Sequence, residues 1–245
     1  MALSGVSWAF RVGEGANLVT WDWSTGWPPV RELRSVRRPV SHARSRHIPV
    51  RAVSVRTGSM LRLESGLEHS LFRVLDRDPG VAWLVAQPVR LSLSPEVGRW
   101  QHVPDLLALM TSGEVVLWDA RPRERVDEAL TRAVALTADA CREVEWSHRV
   151  FHGQSASEGL NTLWLHGFRH DKPWHEQWAD RLVDVVQHAE DPVTVADVLA
   201  TDDGSGEAVS TFWHLVWSGE LVMDLSAPIG PDTTVTAPTT IEVAR

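Results

Sequence analysis

Apolar residues in the middle of the chain repeat first with a helical spacing. The segment "LRLESGLEHSLFRVLDRDPG" (61–80) places Leu63, Leu67, Leu71, Val74 and Leu75 on one helical face, as expected for an amphipathic helix. The sequence Asp-Pro-Gly at 78–80 predicts the end of this helix, because proline and glycine terminate helices.

The spacing then changes to the shorter runs typical of strands. Apolar runs at 81–86 and 89–93 are separated by Gln87-Pro88, and two more flank a turn at Thr111-Ser112-Gly113, which predicts a hairpin. Helical spacing returns in the segment 122–144, and "WSHRVF" (146–151) is typical of a strand. The order helix, three strands, helix, strand predicts an α/β layer whose middle strands are covered on both faces.

Beyond Gly153 the pattern becomes mostly helical. Helices are expected at about 156–169, 173–189, 194–200 and 207–218, and the last two with the strand that follows resemble a winged helix. The helix at 207–218 contains no arginine or lysine, whereas helices that bind DNA use these residues for phosphate contacts. We therefore expect this domain to dock a protein.

These patterns predict four segments. They are a basic N-terminal arm (1–60), an α/β domain (61–153), a helical, winged-helix-like domain (154–235) and a tail (236–245).

Composition and charge limit the function classes. The chain of 245 residues has a single cysteine, Cys141, lacks an apolar run of about 18 residues and has no signal-peptide pattern at its start. We therefore expect a cytoplasmic protein that does not span a membrane, with Cys141 in the core.

The net charge of −8 disfavours a nonspecific nucleic-acid coat, but the basic segment 1–60 carries nine arginines and only three acidic residues. The arginines in this part either follow a DNA backbone or form a solvated face. The candidates for DNA contact are Arg37, Arg38, Arg44 and Arg46.

Two aspartates flank the predicted hairpin. With the turn centred near Ser112, Asp105 faces Asp119, and alternation places Arg121 on the same face. Two carboxylates this close repel each other unless a cation lies between them, and Mg²⁺ prefers such ligands beside a phosphate. The alternative is structural: Asp119 pairs with Arg121 or with another arginine that follows it.

Three histidines have a spacing that is seen in zinc sites. His166 and His170 lie four residues apart, and His175 follows. No further ligand matches this spacing, and Asp171-Lys172-Pro173 interrupts the helix. We therefore expect surface or helix-packing histidines rather than a metal site.

Several motifs together resemble a known nuclease family. "ESGLEHSLFRVLDRDPGVAWLVAQPVRL", "HVPDLL" and "VVLWDARP" resemble the acidic helix, the Pro-Asp strand and the acid-x-Lys strand of PD-(D/E)xK, or restriction-endonuclease-like, nucleases. They are most similar to TnsA, the endonuclease subunit of heteromeric cut-and-paste transposases. The likeness covers roughly residues 44–152 and is looser over the C-terminal domain.

The resemblance implies a set of site residues and a chemistry. Glu68 matches the helix carboxylate, with Glu64 as its rival, and Asp105 and Asp119 match the acids that bind Mg²⁺ or Mn²⁺. Arg121 stands where the family has lysine; arginine can neutralise phosphate charge but cannot transfer a proton at neutral pH.

The implied activity is hydrolysis of phosphodiesters at the 5′ ends of a transposable element. The implied partners are transposon-end DNA, a transposase subunit with an RNase H-like domain and an AAA+ regulator. The departure at Arg121 also motivates one alternative, a non-cleaving assembly module of the same fold. A further alternative is a winged-helix regulator, which would need a basic surface on the C-terminal domain.

Overall fold

The computed structural model describes residues 5–37, 50–93, 98–125 and 127–238, which form a mixed α/β protein. The chain divides into two compact units: the first comprises Met1–Asp76 and Gly80–Gly153, and the second comprises Arg77–Pro79 and Gln154–Arg245. None of the helices in the described ranges is long and apolar enough to cross a membrane.

The first unit contains eleven strands and two α-helices among its described residues. The strands are β1 (Val6–Val12), β2 (Val19–Thr20), β3 (Leu33–Arg34), β4 (Val50–Val53), β5 (Met60–Leu63), β6 (Val81–Ala86), β7 (Val89–Leu93), β8 (Gln101–His102), β9 (Leu106–Met110), β10 (Val115–Ala120) and β11 (Ser147–Phe151). The helices are α1 (Gly66–Arg77) and α2 (Glu128–Glu143).

A four-stranded sheet in the order β11-β10-β9-β6 forms the centre of the first unit. The predicted hairpin register is confirmed, since Val115 pairs with Leu109 and Trp118 with Leu106. β11 runs parallel to β10, and α2 makes the connection between them, as parallel strands require a crossover. Because β9 and β10 are apolar on both faces, they need packing partners on both sides.

Helix α1 provides the core on one face of this sheet and helix α2 on the other. Phe72 and Leu75 of α1 pack in one cluster with Leu106. Cys141 of α2 packs in the other cluster with Leu117. Cys141 is fully buried, so its predicted place in the core is confirmed.

The described part of the segment 1–60 differs from the basic arm expected there. In β1, Val6, Trp8 and Phe10 alternate inward and are buried, and the strand pairs antiparallel with β7. A second sheet therefore forms in the order β2-β1-β7-β8, with β3 also on β1. The alternation over β1 marks a strand, but its partner lies far along the chain, beyond the reach of any local pattern.

The two predicted strands around Gln87-Pro88 both form, but they belong to different sheets. β6 pairs with β9, whereas β7 pairs with β1 and β8. Gln87 is fully buried with a φ of 43°, a backbone conformation that few residues other than glycine adopt. This turn redirects the chain from one sheet to the other.

The start of α1 also differs from the helical pattern. The pattern includes Leu63 in the helix, but this residue ends β5, which forms a hairpin with β4. The helix begins after Ser65, whose Oγ accepts a hydrogen bond from the backbone N–H of Glu68 at 3.1 Å. A serine at this position satisfies an otherwise unpaired helical N–H group, so it determines where the helix starts.

The described part of the second unit contains the four helices expected from the sequence. They are α3 (Ala156–His166), α4 (His175–Gln187), α5 (Val195–Leu199) and α6 (Glu207–Ser218), with the short strands β12 (Val193–Thr194) and β13 (Thr234–Val235) paired antiparallel. Ser155 and Thr194 form capping boxes at the starts of α3 and α5, which fixes these helix starts. Gly219 ends α6 with a φ of 88°, as glycine does at many helix ends.

Candidate active site

The hairpin of β9 and β10 carries both aspartates at its open end. Asp105 directly precedes β9, and its backbone N–H donates to the carbonyl of Trp118 at 2.9 Å. Asp119 lies within β10. Both carboxylic acids are almost fully buried, with 2% and 1% of their surface exposed. Because isolated buried carboxylates are unfavourable, each requires polar partners.

Arg121, which follows β10, connects the two aspartates. Its Nη1 donates to Asp105 Oδ2 and to the carbonyl of Ala120, both at 2.7 Å, and its Nη2 lies 3.5 Å from Asp119 Oδ1. The backbone N–H of Ala120 also donates to Asp105 Oδ2, at 2.8 Å. The guanidinium therefore occupies Asp105 Oδ2 and the carbonyl oxygen of Ala120, two oxygens of the kind that a divalent cation binds.

Two histidines bind Asp119. His102 Nε2 in β8 lies 2.8 Å from Asp119 Oδ2, and His148 Nε2 in β11 lies 2.9 Å from the same oxygen. His102 is thus directed at Asp119. His148 was not singled out from the sequence, although it lies in the predicted strand "WSHRVF".

Glu68 lies in the first turn of α1. Its side chain accepts hydrogen bonds from the backbone N–H of Glu64 at 2.8 Å and from Ser65 Oγ at 3.0 Å, and only 4% of the residue is exposed. Burial, followed by the charge of Asp105, raises the pKa of Glu68 to about 7. Glu68 therefore interacts electrostatically with Asp105.

Glu64, the rival for the role of Glu68, lies nearer the surface and forms an ion pair with Arg37. Arg37 is thus held by an acidic side chain in the first unit. The other three arginines expected to contact DNA, Arg38, Arg44 and Arg46, lie outside the described residues.

The two aspartates differ in their ionisation. Burial raises the pKa of Asp105 against the opposing effect of Arg121. Burial acts the same way on Asp119, but hydrogen bonds from His102 and His148 outweigh it and hold the pKa of Asp119 well below its usual range. Burial would lower the pKa of Arg121, but Asp105 and Asp119 together raise it. Asp119 and Arg121 are consequently the permanently charged members of the group.

The donor set fits a hard divalent cation in kind and in charge. Three carboxylates face a single guanidinium, and Asp119 Oδ1 is buried without a hydrogen bond in the described part of the chain. The positions of these three carboxylates fit a bound cation less closely. Within the described ranges, ligand atoms of Glu68, Asp105 and Asp119 do not all lie within 4.8 Å of one another, and Arg121 occupies Asp105 Oδ2. Binding of a cation by all three would therefore require the guanidinium to move.

A basic groove of about 740 Å³ lies in the same unit. Its described lining includes Arg11, Arg34, Arg37 and Arg62, and it extends to Gln87. The backbone N–H of Gln87 donates to the carbonyl of Asp105 at 2.9 Å. The groove and the acidic site therefore meet at the backbone of Gln87.

Comparisons of the sequence with protein-family models and with curated proteins find no match. The chemistry of this site must therefore be inferred from its own geometry and charge.

Proposed function

We propose that the protein is a metal-dependent DNA endonuclease, the subunit of a TnsA-like heteromeric transposase that cuts the 5′ ends of the element. The central sheet and its two helices follow the chain order α1, β6, β9, β10, α2, β11, with β7 and β8 of the other sheet between β6 and β9. Apart from these two strands, the order agrees with a restriction-endonuclease-like core of helix, three strands, helix and strand. In this proposal a winged-helix-like domain follows the core. Its partners are transposon-end DNA, an RNase H-like transposase and an AAA+ regulator.

The observation that carries the proposal is the convergence of Glu68, Asp105, Asp119 and Arg121 around the open end of one hairpin. Arg121 bonds Asp105 directly and lies beside Asp119, while the charge of Asp105 acts on Glu68. A purely structural ion pair would balance one acid with one base. Here three acids lie around one guanidinium, with His102 and His148 on Asp119, and a group of carboxylates of this kind binds Mg²⁺ or Mn²⁺ beside a phosphate.

In the proposed reaction, Glu68, Asp105 and Asp119 hold the divalent cation. When bound, it neutralises charge on the phosphate and lowers the pKa of a bound water. His102 and His148 keep Asp119 ionised, so that this carboxylate is available as a ligand at neutral pH.

Arg121 neutralises charge that develops on the phosphoryl oxygens. It does not act as a base, because its pKa lies above the ordinary arginine value. Its side chain is 32% exposed, which leaves space for the guanidinium to leave Asp105 and to turn toward a phosphate. The ion pair with Asp105 is then the resting arrangement, and cation and DNA together displace it.

The test is cleavage of transposon-end and supercoiled plasmid DNA in Mg²⁺ or Mn²⁺, with and without the proteins encoded by adjoining genes. We expect metal-dependent nicking by the wild type and a loss of at least about 100-fold in Asp105→Asn, since metal ligands dominate such reactions. Asp139→Asn is the matched control, because Asp139 is an exposed aspartate of α2 and its substitution should leave cleavage unchanged. Equal nicking by Asp105→Asn would refute the site.

A second candidate, a non-cleaving assembly module, is favoured by one specific observation. Arg121 bonds both Asp105 Oδ2 and the Ala120 carbonyl, two atoms that an active site would need for its cation. If the wild type binds DNA and partner proteins but neither binds Mn²⁺ nor cuts DNA, this second function replaces the first.

A further inference from the structure

A second cluster of metal-ligating side chains lies in the second unit, far along the sequence from the acidic site. One ligand atom each of Asp171, His175 and His214 lies within 4.8 Å of the other two. Asp171 lies in the loop before α4, His175 opens α4, and His214 lies in α6. In the part of the chain that the structure describes, this is the one group of three such residues at that spacing.

The hydrogen bonds of His214 prepare it to act as a ligand. Its Nδ1 lies 2.8 Å from the carbonyl oxygen of Phe168. A carbonyl only accepts hydrogen bonds, so Nδ1 carries the proton, and in the neutral ring Nε2 carries the lone pair. Histidines that bind metals commonly donate their other N–H group to a carbonyl in this way, which fixes the ring orientation.

His175 has a buried nitrogen that is not used by the fold. Its Nδ1 lies 2.9 Å from Asp171 Oδ1 and accepts from the backbone N–H of Lys172 at 3.2 Å, whereas its Nε2 is buried and has no hydrogen-bond partner among the described residues. Only 5% of His175 is exposed. Buried polar atoms without partners within the fold are uncommon and indicate a position for an ion, a water or a ligand.

The two imidazoles also lie beside each other. Their ring centroids are 4.3 Å apart, so a nitrogen of each ring can reach one ion together with a carboxylate oxygen of Asp171.

We propose that Asp171, His175 and His214 bind a divalent transition-metal ion of the zinc type. Two imidazoles and one carboxylate suit zinc better than magnesium, which prefers oxygen ligands. The side chain of Asp171 is 82% exposed, so the remaining coordination position faces solvent. The site is independent of the proposed nuclease function and joins the loop before α4, the start of α4 and α6.

The test uses the full-length protein without DNA, in excess Mg²⁺ to saturate the acidic site of the first unit. Zinc is titrated by equilibrium dialysis, and the melting temperature is followed by circular dichroism. We expect one zinc per chain and a higher melting temperature with zinc, because a ligand that binds the folded state stabilises it. Cobalt in place of zinc should give the visible absorption bands of a site with a low coordination number.

Three variants separate the site from adventitious binding. His214→Gln and Asp171→Asn should lower zinc affinity at least about tenfold and abolish the shift in melting temperature. His188→Gln should bind zinc like the wild type, because His188 is 77% exposed in the same unit. Asp171 is also exposed, so its substitution leaves the core intact and remains informative even if His214→Gln unfolds. The proposal is overturned if the wild type binds no zinc, or if Asp171→Asn binds it unchanged.

Discussion

Arg121 and Asp105 form an ion pair at 2.7 Å at the open end of the central hairpin, where Asp105 is almost entirely buried. Because the same guanidinium lies 3.5 Å from Asp119, it is the shared counter-ion of two acids. Its removal affects both, and this makes Arg121 the most informative position of the site.

Arg121→Ala should lower the free energy of unfolding by about 1–3 kcal/mol, because it leaves buried carboxylates without their cation. Urea unfolding in the presence of a chelator measures this change. If the acidic site binds a divalent cation, Mn²⁺ should restore part of the lost stability. Arg142→Ala is the control: its pair with Asp139 is exposed and should contribute less than about 0.5 kcal/mol. Equal losses in the two variants would contradict the shared counter-ion.

Glu68 should make stability fall as the pH rises. Its folded pKa of about 7 lies above the ordinary value of 4.5, so between these values the folded state holds more protons than the unfolded state. The free energy of unfolding therefore decreases from pH 4.5 to pH 7, with the full loss above that range. Converted at 1.36 kcal/mol per unit, this loss is at most about 3 kcal/mol.

Glu68→Gln tests this dependence, since glutamine stays neutral. In a chelator, the variant should gain stability relative to the wild type between pH 5 and pH 8, as measured by urea unfolding. A difference between the two proteins that is the same at both pH values would show that Glu68 is not held in its protonated form.

Cys141 should be unreactive toward thiol reagents in the folded protein. Burial raises the pKa of its thiol from 9.0 to about 12, which reduces the thiolate fraction by roughly three orders of magnitude at mildly alkaline pH. Its reaction with a disulfide reagent should be slow in native conditions and rapid in denaturant. Rapid modification of the native protein would place the thiol at the surface.

Asp76 should be important for stability although it lies outside the proposed active site. It is fully buried, and its Oδ1 accepts hydrogen bonds from Ser54 Oγ at 2.6 Å and from the backbone N–H of Val55 at 3.1 Å. Asp76→Ala leaves these donors unpaired and should cost about 2–4 kcal/mol, against about 1 kcal/mol for Ser54→Ala. Thermal unfolding compares the stabilities of the two variants. A larger loss in Ser54→Ala than in Asp76→Ala would contradict the role of Asp76 as the shared acceptor.

Local patterns in the sequence predicted the central hairpin and its register, because the position of the turn at Thr111-Ser112-Gly113 determines which residues of the two strands pair. They also predicted the helices of the second unit, whose starts are marked by Ser155 and Thr194. In each case the residues whose interactions decide the structure are close neighbours along the chain.

Features that depend on distant residues were not predictable in this way. The pairing of β1 with β7 joins Val6 to Leu93, and His148 reaches Asp119 only because β11 lies beside β10. From the spacing of His166, His170 and His175 we expected no metal site, whereas the fold brings His175 together with Asp171 and His214. A periodicity identifies faces of single elements but not the distant element that will cover them.

The parallel pairing of β10 and β11 has a consequence for biosynthesis. Asp119 is translated 29 residues before His148, one of its two histidine partners, with the whole of α2 between them. While the ribosome still holds that segment, the carboxylate has no imidazole from β11 and water must solvate it. We therefore infer that the acidic site cannot form completely until residues through Phe151 have left the ribosome. In a ribosome-stalled fragment that ends before Ser147, β10 would have no partner strand on this side.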